Sequence, residues 1–485
     1  MKPQPWQRGW QTALQLPCPL PSRHCWRQAA TASMNSWHWK QSCNQPPAQL
    51  RIIVKALRPS LKNARPNSPA NRQIMTGFDL RNLPDDFIDN PHPHYASLRA
   101  SAPVYELPGG GLFLSRHADL MRVYKDRLVF SSDKKIEFFP KFGDSLLYQH
   151  HTTSLVFNDA PLHTRVRKAI AGALSPRAIS GMDSVVQRLV DQLLDDMAAR
   201  AESGLTIDGV ADFAQNIPIE VIGNLLAIPR NERDPLRAWS LAILGALEPE
   251  IDADQFTAGE DAVRDFLAYL DALVARRRAE GVEDAPDIMA RLIRETGEAE
   301  ENANLLSHEL LQNAIFILNA GHETTTNLIC SGIWLLSQRP GIVARLNAEP
   351  DLWPSAVEEI LRMESPNQLG NRRAVTDFEM GGKQWDKGTL ITLGMGAANR
   401  DPAVFAAPDE FRLDRDDNPH LAFAGGVHVC AGNTIARIEG QIALASLFRR
   451  WPDLKITSGM QRSPRVRFRG FETMPLHLGA AAEPR

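Results

Sequence analysis

The sequence predicts a mainly α protein with small β-sheets, folded as one large domain around a long central helix. Three observations predict this. Apolar residues recur at three- and four-residue spacing through most of residues 117–365. One such run, 307–338, gives a rod of about 48 Å at helical rise, long enough to cross a whole domain. Strand-like segments are short and confined to 103–115, 377–397 and the C-terminal end.

Residues 1–74 stand apart. They carry eleven Lys or Arg, no Asp or Glu, and five of the ten tryptophans, with no sustained periodicity beyond two helical turns at 50–57. Two readings are open: an Arg-rich, acid-free targeting leader, or a segment ahead of a true start at Met75. Either one excludes 1–74 from fold reasoning and leaves 75–485 as the domain. The chain's net charge of −3 then hides a body of 411 residues near −14. So acidic a body is a poor nucleic-acid binder, since that function needs Lys and Arg against phosphate. Only Cys330 and Cys430 lie in the body, which is no disulfide framework and fits a reducing compartment. The most apolar stretch, 310–336, is interrupted by Asn313, Asn319, His322 and Glu323, so no membrane span is expected. A cytoplasmic monomer is the expectation.

Within the body, 103–115 reads as two strands around a glycine turn. Helices are expected over 181–200, 217–227, 257–280 and 307–338, the last with Ser307 as N-cap and Pro340 as its stop. Short strands follow over 377–397, then a proline-rich irregular stretch (399–420), a glycine loop (424–432), a helix (433–450) and terminal strands.

The chemistry concentrates in Phe423-Ala-Gly-Gly-Val-His-Val-Cys430-Ala-Gly432, which runs into the helix at Asn433. Glycines let the backbone turn tightly and let a flat group approach. A cysteine just before a helix N-terminus is favoured as thiolate, and loop N–H groups can donate to its sulfur and tune a bound metal. The alternatives are a glycine turn around an inert buried cysteine, or zinc held by His420, His428 and Cys430. Zinc lacks the paired ligand spacing of structural sites.

This loop resembles the heme-binding signature of the cytochrome P450 family, Phe-Gly-x-Gly-x-His-x-Cys-x-Gly, with Ala424 at the first small position, a departure expected to matter little. Three further motifs follow the family's order: Ala320-Gly-His-Glu-Thr-Thr325, similar to its oxygen-binding motif; Glu359-Ile-Leu-Arg362, its Glu-x-x-Arg; and His163-Thr-Arg-Val-Arg167, like the His-x-x-x-Arg of its bacterial branch. The resemblance spans roughly 77–480. It implies a single triangular heme domain of the cytochrome P450 fold, with heme b (iron protoporphyrin IX) as cofactor and Cys430 as its thiolate ligand.

The long helix would then cross the other heme face, with Ala320 beside the cofactor, Gly321 leaving room for O2, and Glu323 and Thr324 as an acid–alcohol proton relay. The alternative leaves Gly321 a packing notch and Thr324 bonded back to its own helix. The resemblance also implies that His163, Arg167, Arg372 and His428 clamp the propionates, where the planar arginine fork suits a carboxylate. Glu359, Arg362 and Arg415 would form a buried structural network.

The implied reaction is insertion of one atom of O2 into a small hydrophobic organic substrate. Because the chain carries no flavin or nicotinamide fingerprint, electrons would come from a separate iron–sulfur ferredoxin and its reductase, docking near Arg122, Arg165, Lys168 and Arg437. The pocket is expected from segments 134–158, 314–324 and 366–370, with Phe138, Phe139 and Leu369 apolar and Asn319, Asn367 and Gln368 polar. Rival readings are a heme sensor or carrier without turnover, and a peroxide-driven oxidase.

Overall fold

The computed structural model describes residues 77–175, 177, 179–285, 287–297 and 305–482. The segment 1–74, including the two helical turns expected at 50–57, lies outside the described residues.

The helices that frame the site are α1 (Lys135–Phe142), α2 (Leu162–Ala173), α3 (Asn216–Leu225), α4 (Ser307–Ser337), α5 (Trp353–Met363) and α6 (Asn433–Arg450). Four expected helices form close to their expected bounds, at Met182–Glu202, Asn216–Leu225, Ala253–Glu280 and Ser307–Ser337, and the helix after the glycine loop spans 433–450 as expected. Helix α5 shows why: Pro354 sits in its first turn, where no N–H is needed, and Trp353, Ala356, Val357, Ile360 and Leu361 bury one face.

Helix α4 is buried almost all round. It meets α6 through interlocking gaps. A Cβ on Gly332 would lie 2.4 Å from Leu444, and one on Gly440 would lie 3.0 Å from Leu328. Each leucine fills the space over the opposite helix's glycine, so the two axes approach closely and the cysteine loop at the start of α6 is held against the central rod. The start of α4 differs from expectation. Ser307 does not cap it; Glu309 reaches back to accept the Leu306 N–H at 2.8 Å. The same carboxylate takes Arg165 of α2 at 2.5 and 2.8 Å.

A five-stranded sheet flanks the helices. Its strands are β1 (Val104–Glu106), β2 (Leu112–Leu114), β3 (Phe130–Ser131), β4 (Leu369–Ala374) and β5 (Leu390–Gly394), in the order β1-β2-β5-β4-β3. Only the β2–β5 pairing is parallel. β4 was not expected as a strand, because Leu-Gly-Asn-Arg-Arg-Ala shows little apolar alternation. Pairing on both edges overrides that, and Leu369, Arg372 and Ala374 turn into the interior.

Candidate active site

The cysteine loop is shaped by its neighbours. Gly426 has φ +66°, and a Cβ there would lie 2.1 Å from the Tyr124 carbonyl oxygen, so only glycine fits. Ala424 also adopts a left-handed φ, +58°. The expectation that alanine matters little here needs correction, because an L side chain in that region costs about 1–2 kcal/mol.

The Cys430 N–H donates to Phe423 O at 2.9 Å, and Asn433 Nδ2 donates to Cys430 O at 2.6 Å, closing the loop onto the first turn of α6. Burial pushes the Cys430 thiol up; the Gly432 N–H and the charges of Arg167 and Arg437 pull it down. That one N–H donor and the two positive charges are the features that would hold a sulfur anion.

Around the loop lies a cluster of cation-forming groups. The rings of His163 and His428 are 4.0 Å apart between centroids. His428 Nε2 lies 3.7 Å from Asp159 Oδ1, whose carboxyl is held well below the usual range by His428, Ser131 and the Ser132 N–H. Burial lowers His163 to about 4, and its Nε2 is buried with no partner. Arg372 lies over the Tyr124 ring at 5.4 Å and donates to Asn371 O at 2.8 Å, with no carboxylate paired to it among the described residues. Arg167 donates to Val429 O at 2.6 Å, on the loop itself. Orphaned His163 Nε2 and unpaired, buried Arg372 are polar groups awaiting an acceptor. A porphyrin with two carboxylates, set over a cysteine sulfur, fits this donor set.

Along α4, residues 312–333 are buried except for Phe316, Ala320, Gly321 and Thr324. Phe316, Ala320 and Thr324 are four residues apart and share one face, so the accessible positions form one stripe. Thr324 Oγ1 donates to Ala320 O at 2.6 Å. Gly321 is a packing notch rather than room for O2: a Cβ there would lie 2.5 Å from Ile222 of α3.

Glu323 is not on the stripe. It is buried and held by Arg465 Nη1 at 2.6 and 2.7 Å; burial raises its pKa, against the pull of Arg465.

The Glu359 carboxylate is wholly buried. It accepts Arg362 Nε and Nη2 at 2.7 and 2.8 Å, Arg415 Nε at 2.9 Å and the Arg412 N–H at 3.0 Å. Arg362 spends its remaining donors on Asn399, Pro408 and Glu410 carbonyls. This network ties α5 to the irregular 399–420 stretch, and the Asn399 side chain in turn accepts the Leu421 N–H at 2.6 Å, at the entrance of the cysteine loop.

Several expectations are overturned. Arg165 turns inward to Glu309, and Arg437 pairs with Glu358 at 2.6 Å, so neither is a loose docking cation. Arg122 and Lys168 remain exposed. Phe139 is 54% exposed and packs outward on Tyr148. His420 bonds to Glu358, away from a ligand set with His428 and Cys430. The sequence reading missed Tyr124, Asp159, Arg465 and Arg467. The two arginines had a legible signal, since Arg465, Arg467 and Arg469 alternate as on one face of an extended segment.

Comparison with known proteins adds lineage. A family model described as Cytochrome P450 matches residues 251–473. The chain is 31% identical over 395 residues to a biotin biosynthesis cytochrome P450 of Bacillus subtilis, covering 81% of this chain and 97% of that protein. It is 32% identical to the cytochrome P450 monooxygenase PikC of Streptomyces venezuelae, covering 82% and 94%. Among solved structures, that of P450BioI in complex with a hexadec-9Z-enoic acid ligated acyl carrier protein matches with TM-score 0.74 and 30% identity, over 81% of this chain and 100% of that one. CalO2 matches with TM-score 0.76 and 27% identity, over 83% and 99%. The loop, the helical rod and these relatives agree: the chain belongs to the cytochrome P450 family, of the bacterial type, and is a heme-dependent monooxygenase.

Proposed function

We propose that residues 75–485 form a heme-thiolate domain that binds heme b through Cys430 and inserts one atom of O2 into an apolar organic substrate. The observation that carries this reading is the cysteine loop, where a sulfur at a helix start meets a backbone N–H and two arginines. Heme ligated by a thiolate supplies activation of O2, the sulfur's electron donation favouring O–O cleavage.

The chain's own groups do the rest. His163, Arg372 and His428 are placed to hold two carboxylates, while Arg167 braces the loop through Val429 O. Thr324, on the accessible stripe, holds a hydroxyl where a proton must reach the reacting oxygen. Glu323 supplies protons to that region when its grip on Arg465 loosens. Glu359, Arg362 and Arg415 keep the loop in register. Electrons arrive from a ferredoxin and its reductase, with exposed Arg122 and Lys168, on helices that contact the loop, as docking charges. No described helix is long and apolar enough to cross a membrane; a reducing, cytoplasmic location is the reading that the two free body cysteines support.

The test is the carbon monoxide difference spectrum of the reduced protein. A red-shifted thiolate band is expected, and its loss in Cys430→Ala with porphyrin still bound completes the assignment. A band at the position given by neutral axial ligands would refute it.

A further inference from the structure

We propose that Arg467 anchors a carboxylate on the substrate, so that the enzyme's preferred substrates are acids with an apolar body. The proposal deepens the monooxygenase reading and rests on it for the location of the substrate site.

Arg467 bonds to one expected pocket segment, 366–370, lies within charge range of a second, 134–158, and is two residues from an arginine that reaches the third, 314–324. Its Nη1 donates to Leu369 O at 3.0 Å and its Nη2 to Asn371 Oδ1 at 2.9 Å, both on β4. Its neighbour Phe468 bridges Asn367, and Arg465, two residues earlier, binds Glu323 of the central helix. On a third side lie Lys134 and Lys141 of the α1 region, close enough that the charge of Arg467 lowers both lysine pKa values.

The three alternating arginines differ in one respect. Arg465 has Glu323 and Arg469 has Glu364 at 2.7 Å. Arg467 pairs with no carboxylate among the described residues, and its Nε is buried without an acceptor. Glu248 and Glu137 act on it only from a distance. Glu248 receives the Arg467 backbone N–H instead, and Glu137 is taken by Lys134 at 2.7 Å.

Arg467 retains accessible surface, yet burial is the leading influence on its pKa. Its charge is therefore held largely out of water while part of the residue stays accessible. A guanidinium cannot shed its proton to escape such a place. A cation so enclosed, with its Nε–H still unpaired, calls for an anion such as a carboxylate.

The carboxylate has two possible sources, the substrate or a porphyrin propionate, and the experiment separates them. The holoenzyme is titrated with linear saturated acids of about eight to sixteen carbons and with the matching primary alcohols, following the spectral shift on ligand entry. The wild type should bind its best acid about tenfold or more tighter than the same-length alcohol, the least that a charge-assisted hydrogen bond supplies. Arg467→Gln should bring that ratio to about one while leaving alcohol affinity within about twofold, and Arg467→Lys should keep part of the preference.

A wild-type ratio near one overturns the proposal, as does a ratio that Arg467→Gln leaves intact. If Arg467→Gln sheds heme while acids were never preferred, the carboxylate is the porphyrin's and the proposal is overturned. The wild-type ratio decides by itself if the glutamine variant does not fold. Alcohols that still produce the shift keep the substrate-site reading standing whichever way the acids go.

Discussion

Replacing Glu359 by Ala tests how the cysteine loop is kept in place. Both side chains of the Glu359–Arg362 pair are fully buried. Removing the carboxylate strips Arg362 of its only acidic partner among the described residues and leaves Nε without an acceptor, although Nη1 and Nη2 keep three carbonyls. Breaking a buried pair this way costs about 3–5 kcal/mol. The Arg412 N–H and Arg415 Nε lose the same acceptor, adding about 1 kcal/mol. Set against a total of about 5–15 kcal/mol for a typical domain, the variant forfeits a third or more of its stability.

Urea unfolding, followed by tryptophan fluorescence and by heme absorbance in parallel, reads the loss. The expected result is a large drop in midpoint on both probes and low heme content on purification, with an unchanged thiolate band from the heme that remains. Arg415→Ala should cost less, because the Glu359–Arg362 pair stays intact and the bonds lost to the Ala406, Ala407 and Glu410 carbonyls lie at the surface. A Glu359→Ala protein within about 1 kcal/mol of the wild type, retaining full heme, would refute the reasoning.

Three other outcomes are expected. Ala424→Gly relieves a left-handed alanine and should raise stability by about 0.5–1 kcal/mol after the flexibility of glycine in the unfolded chain is deducted; an unchanged or lower urea midpoint contradicts the strain. Thr324→Ala should leave ligand affinity unchanged but divert electrons from product to hydrogen peroxide, cutting product per electron pair about tenfold or more, as expected for loss of a positioned proton donor; unchanged coupling removes Thr324 from proton delivery. Burial lowers His150 to about 4 and His322 to about 3, from an ordinary 6.5. The unfolded chain therefore binds protons that the folded one refuses, so stability is full above pH 6.5 and is lost as pH falls toward those values, by about 1.4 kcal/mol per pH unit for each histidine. His322→Leu should flatten the pH dependence of the urea midpoint between pH 6 and 4 by one such increment.

The sequence made the helices legible because their apolar stripes are long and bounded by prolines and glycines. It made the cysteine loop legible because the spacing from Phe423 to Gly432 is unusual. The same information left β4 hidden, since paired strands on both sides compensate for a polar segment. It also left the partners of charged groups open. Arg165 and Arg437 read as surface cations until the fold brought Glu309 and Glu358 to them from 144 and 79 residues away. Glu323 and Thr324 are neighbours in sequence, but adjacent residues on a helix point about 100° apart, so one joins the accessible stripe and the other turns to Arg465. The alternation of Arg465, Arg467 and Arg469 was legible, but what distinguishes Arg467 was not: it is set apart by lacking a carboxylate partner among the described residues where Arg465 and Arg469 have theirs.

The Glu309 carboxylate is a mechanical joint. It terminates the rod that spans the molecule and, through Arg165, bolts on the short helix carrying His163 and Arg167. An axial slide or twist of the rod is therefore passed, at this end, to the helix that carries His163 and Arg167. Such a linkage ties the position of the central helix to that of two residues proposed to lie beside the cofactor.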